Sequence, residues 1–76
     1  MERYSLKNIQ KDQLSITKYI LKGMKELKYG PLDIKEFQKQ MRNSDYYEML
    51  EIAEDYVKDL NLRYNSLSFK SKVKLG

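Results

Sequence analysis

Asn61-Leu62-Arg63-Tyr64-Asn65-Ser66-Leu67-Ser68-Phe69-Lys70-Ser71-Lys72-Val73-Lys74-Leu75 is the stretch on which the fold of this chain turns. Leu62 and Tyr64 alternate with Asn61 and Arg63, and Leu67, Phe69, Val73 and Leu75 alternate with Ser68, Lys70, Lys72 and Lys74. A period near two belongs to a half-buried strand. Asn65-Ser66 supplies a turn signal between the two runs, weaker than Asn-Gly. The spacing predicts a β-hairpin over about residues 62–75. The competing reading is a frayed helix end followed by a basic tail.

Upstream the period is helical. Tyr46, Met49, Leu50, Ala53, Tyr56, Val57 and Leu60 form one long apolar stripe, opened by the capping-box pair Asp45 and Glu48, with Asn61 as a left-handed stop. A helix over about 46–60 follows. Before it, Asp33 and Glu36 stand at capping-box spacing, with Leu32 and Phe37 placed as a hydrophobic staple, so a short helix over about 34–42 is expected. Ile9, Ile16, Ile20, Met24 and Leu27, with Leu14 and Leu21 beside them, mark a first helix over about 6–29, started by Asp12 or Ser5. Gly23 costs that helix about 1 kcal/mol relative to alanine and marks a close packing contact. Tyr29-Gly30-Pro31 closes it, with the glycine as the left-handed residue.

Seventy-six residues make a single domain with a small core. With no cysteine and no histidine, the chain lacks thiolate ligands, disulfides, the usual general base and the commonest nitrogen ligand. No glycine-rich phosphate loop and no nucleophile elbow appears. The sequence therefore points away from an enzyme and implies no cofactor. Glu51, Glu54 and Asp55 lack calcium-loop spacing and read as a solvated face, so no metal is expected. No apolar run is long enough to span a bilayer, and residues 1–6 lack the apolar centre of a signal peptide, so a cytoplasmic protein without a membrane partner is expected.

The net charge of +4 is unevenly placed. Residues 1–30 carry +4, residues 31–43 carry +1, residues 44–61 carry −5 and residues 62–76 carry +4. Seven tyrosines add amphipathic rings, which suit half-buried positions as well as interfaces.

The order of elements is a long helix, a Gly-Pro turn, a short helix, the turn Asn43-Ser44-Asp45, a longer helix and a basic hairpin. Carried by Ile20–Leu27, Gly30–Phe37, Asn43–Asp45, the Tyr46 helix and the hairpin, this order resembles the winged helix-turn-helix superfamily over residues 16–75. The resemblance implies a mainly α domain of three helices with a C-terminal β-hairpin as the wing, and a role in transcription regulation. It also implies that the Tyr46 helix is a recognition helix entering the major groove. The charge of that helix departs from the pattern, because phosphates repel it. The expected contact with duplex DNA therefore falls to the wing: Arg63, Lys70, Lys72 and Lys74 for phosphates, with Asn65, Ser66 and Ser68 at the tip. On a strand the three lysines share one face, an arrangement that also serves to protect a sheet edge. The leading expectation is a small DNA-binding accessory or regulatory protein that pairs as a homodimer. The alternative is a protein-interaction module or small inhibitor that presents Glu48, Glu51, Glu54 and Asp55 to a basic protein partner.

Overall fold

Three helices build the fold: α1 (Gln13–Glu26), α2 (Pro31–Arg42) and α3 (Tyr46–Leu75). The structure, a computed structural model, describes the backbone of residues 3–75 and the side chains of residues 3–67. No strand occurs among the described residues. The expected hairpin over 62–75 is thereby overturned, and with it the wing of the winged-helix arrangement: α3 runs unbroken for 30 residues.

The physical reason lies at the start of α3. Asp45 and Glu48 form the expected capping box: Glu48 N–H donates to Asp45 Oδ1 at 2.9 Å and Asp45 N–H to Glu48 Oε1 at 3.3 Å. Once a helix is nucleated, each further residue adds one hydrogen bond. Nothing after Leu60 stops that growth, since residues 61–75 contain neither glycine nor proline. An isolated two-stranded hairpin, by contrast, is marginal in water. Leu60, Tyr64 and Leu67 also carry the helical i, i+4, i+7 spacing across the supposed change of period. Asn61, expected as a left-handed stop, is an ordinary residue within α3.

The other ends also differ in part from expectation. Helix α1 is shorter than the expected 6–29, because Asp12 caps it, accepting from Ser15 N–H at 2.8 Å and from Ser15 Oγ at 3.0 Å. At its C-terminus Leu27 is the cap and Lys28 takes the left-handed backbone at φ 61. Tyr29 N–H then donates back to the Met24 carbonyl at 2.9 Å and Lys28 N–H to the Lys25 carbonyl at 3.1 Å, a Schellman closure. Gly30, expected in that role, sits at φ −67 as the N-cap of α2 with Pro31 as the first helical residue. Asp33 therefore lies inside the first turn, where the helix dipole favours it, rather than at a cap. Leu32 is 80 % exposed, so the expected staple does not form.

One core holds the helices together. Ile16, Ile20, Met24 and Leu27 of α1 and its cap meet Phe37 and Met41 of α2 and Met49, Ala53, Val57 and Leu60 of α3. Residues 3–12 precede α1 as an irregular segment that lies against α1 and α3 through Tyr4, which is itself buried. The molecule measures 46 × 27 × 15 Å, and its long dimension matches a helix of 30 residues at about 1.5 Å each.

Candidate functional site

Helix α3 buries one face and offers the other to solvent. Met49, Ala53, Val57 and Leu60 are buried, whereas Glu48, Glu51, Glu54, Asp55 and Lys58 are exposed. Positions 48, 51 and 55 fall three and four residues apart, in one row along the helix, with Glu54 beside them. Glu48 is partly occupied by the cap. The helix dipole accounts for an acid in the first turn, but its influence fades beyond that turn. Glu51, Glu54 and Asp55 thus carry three carboxylates at the middle of the helix, with Lys58 as the one cation between Ser44 and Asn61.

Asp59 belongs to a different group. Its carboxylate accepts from the Tyr29 hydroxyl, and the Arg63 guanidinium lies 4.4 Å above the Tyr29 ring centre. The cluster ties the α1–α2 connection to α3. Burial first, and then the bond to Asp59, push the Tyr29 hydroxyl well above the ordinary tyrosine range, while Arg63 pulls the other way. Tyr4 and Tyr56 are also raised, in each case chiefly by burial. A raised folded-state value means that the neutral phenol is favoured by folding. The associated stability is complete below the unfolded value near 10 and drains away as pH climbs beyond it. Urea midpoints are accordingly expected to hold level from neutral pH to about pH 9–10 and then fall. Tyr29→Phe should make that alkaline fall shallower, and an equal slope in wild type and variant would count against the assignment.

The residues expected to contact DNA lie along one helix and not on a two-stranded arm. Arg63 is engaged at Tyr29. Asn65 and Ser66 are exposed positions within a helix, not the tip of a turn. Ser68, Lys70, Lys72 and Lys74 lie on the continuation of α3, and their side chains fall outside the described ones. Residues two apart on a helix are turned by about 200°, so the alternation that would align three lysines on a strand does not align them here. The proposal that a two-stranded arm grips a duplex loses its geometry.

Two features escaped the reading of the sequence. One is the Tyr29–Asp59–Arg63 cluster, of which only the i, i+4 spacing of Asp59 and Arg63 was visible. The other is a side-chain clamp: Asn61 Oδ1 accepts from Tyr4 N–H at 2.7 Å and Asn61 Nδ2 donates to the Tyr4 carbonyl at 2.9 Å. The partners are 57 residues apart, and no local pattern announces them.

Beside the clamp, residues 4–11 and α3 border an open groove of about 410 Å³, with Leu6 and Val57 in it and Lys7, Lys11, Lys58 and Glu54 around it. Lys11 already donates to the backbone carbonyls of Leu6 and Ile9, which leaves a surface crease and not a chamber. Among the described residues, no group of three metal-ligating side chains converges. No helix among the described residues is long and apolar enough to cross a membrane. Comparison with known families, with curated proteins and with solved structures returns no match.

Proposed function

We propose that this protein is an interaction module whose working surface is the exposed acidic face of α3, presenting Glu48, Glu51, Glu54 and Asp55 to a basic protein surface. The observation that carries the reading is the clean division of one helix. Its buried stripe fixes α3 against α1 and α2, so the carboxylates on the other side are held at set positions on a rigid support. Fixed charges of one sign raise association rates and select partners of the opposite sign. Local helix electrostatics leave the three mid-helix acids without a structural task. The cysteine-free composition suits work in the reducing cytoplasm.

Binding of a fluorescent Lys/Arg-rich peptide, followed by anisotropy, tests the reading. Wild type should bind, more weakly as salt rises. The triple variant Glu51→Lys, Glu54→Lys, Asp55→Lys should keep its helical circular dichroism, because all three positions are exposed, and should bind at least about tenfold more weakly. Equal affinity of the two proteins would defeat the reading.

A further inference from the structure

Helix α3 is charged in two blocks of opposite sign. From Ser44 to Asn61 there are six carboxylates and one cation, a net of −5. From Leu62 onward there are four cations, Arg63, Lys70, Lys72 and Lys74, and no acid. A hairpin would have made the second block a separate arm. The unbroken helix instead places both blocks on one straight rod, their midpoints about 25 Å apart at about 1.5 Å per residue.

Past Leu60 the rod becomes more exposed, although Arg63 still meets Tyr29 and Tyr64 still meets Tyr4. Along the core stripe Ala53 and Leu60 are 0 % exposed, but Tyr64 is 37 % and Leu67 45 % exposed, and Leu62 on the opposite side is 70 % exposed. Leu62 and Leu67, exposed apolar side chains on two sides of the helix, suit an element that packs within an assembly.

We propose that the occupant of this rod is a second copy of the chain, its α3 laid antiparallel, so that the acidic block of each copy meets the basic block of the other. The inference rests on the reading of the acidic face as an interaction surface and names the partner of that surface. Three geometries are open to two such rods. Parallel pairing stacks −5 on −5 and +4 on +4. Pairing of the overhangs alone sets four cations against four. Antiparallel pairing over the full helix, about a two-fold axis near residues 60–62, brings turns 48–55 level with turns 65–75, and both attractive contacts form at once. Packed helices lie about 8–10 Å apart, comparable with the screening length of about 8 Å at physiological salt, so the sign of the facing charge selects among the three. A two-fold arrangement also closes. A head-to-tail use of the same two blocks would leave one of each free and grow into a chain. Leu62, lying between the blocks, falls near the proposed axis, where an apolar side chain is covered by its counterpart.

The mass of the full-length protein in solution, measured by light scattering on a sizing column, tests this. Wild type at low salt (about 50 mM) should run at twice 9.2 kDa and return toward 9.2 kDa at high salt (about 500 mM). The acid-reversed triple variant (Glu51→Lys, Glu54→Lys, Asp55→Lys) and a base-reversed one (Lys70→Glu, Lys72→Glu, Lys74→Glu) should each be monomeric alone. Mixed one to one, they should restore the double mass, because one rod is then net positive in both blocks (+1 and +4) and the other net negative in both (−5 and −2). A wild type that stays at 9.2 kDa at low salt overturns the proposal, as does a single-block variant that remains dimeric or a mixture that does not pair. The peptide assay separates the two levels. A monomeric wild type whose peptide binding is lost on acid reversal ends the self-pairing and leaves the interaction surface standing. Peptide binding indifferent to the reversal removes the surface itself.

Discussion

Phe37→Ala is expected to remove most of the stability of this fold. Phe37 is the largest side chain with no exposure, and its ring meets Tyr56 edge-on at 4.7 Å between centres. It is also the main anchor of α2, whose other buried residue is Met41. Truncating a buried phenylalanine to alanine costs about 3–5 kcal/mol through lost transfer energy and the cavity left behind. A chain of 76 residues has about 4–11 kcal/mol in total. With an m-value of about 1 kcal/mol/M for a domain of this size, the urea midpoint should fall by about 3 M, or the variant should be unfolded without denaturant. Leu32→Ala is the matched control on the same helix: with Leu32 80 % exposed, it should shift stability by no more than about 0.5 kcal/mol. A Phe37→Ala shift below about 1 kcal/mol would mean that α2 does not close the core as described.

The contrast between those two residues shows which parts of the sequence were legible. Burial stripes were readable because a helix core repeats a pattern many times, as Ile16, Ile20 and Met24 do on α1. The Asp45–Glu48 capping box was readable because it is local and reciprocal. The same four-residue spacing at Asp33 and Glu36 misled, because Pro31 can open a helix three residues earlier and a fixed φ there outranks a side-chain cap. Residues 62–75 misled for a related reason. Alternation of apolar and polar residues is a strand signal only where a sheet exists to receive it. Here the helix was already nucleated, and Leu60, Tyr64 and Leu67 continued its stripe while Leu62 and Phe69 supplied an accidental period of two. For the candidate surface, Glu48, Glu51, Glu54 and Asp55 were visible as a charge pattern. Their exposure along one unbroken rod with the basic block depended on the helix not ending, which the sequence leaves to the balance between propagation and a weak turn.

Tyr4→Ala should cost about 2–4 kcal/mol and, unlike Phe37→Ala, should loosen one segment before the whole. Tyr4 is 6 % exposed although it lies in an irregular stretch, and three kinds of contact hold it there. The Asn61 amide takes both its backbone groups, at 2.7 and 2.9 Å. Its hydroxyl donates to Glu26 at 3.2 Å. Its ring stands edge-on to Tyr19 and to Tyr64, each 6.3 Å away between centres. Gly23 makes room for the ring: a β-carbon there would come within 3.0 Å of Tyr4 and 3.1 Å of Leu60. The glycine that weakens α1 thus spares the Tyr4 ring and Leu60 a shift of a few tenths of an ångström. Tyr4→Phe keeps the ring and loses only a part-exposed hydrogen bond, so it should cost no more than about 1 kcal/mol. Hydrogen exchange gives the decisive readout. The Ser5 amide, which donates to the Tyr19 hydroxyl at 2.9 Å, should exchange far faster in Tyr4→Ala, while amides in the middle of α1 and α3 slow exchange almost as in wild type. Uniform acceleration across all three helices would instead make the segment an integral part of the cooperative core, with Asn61 joining the two ends of one unit.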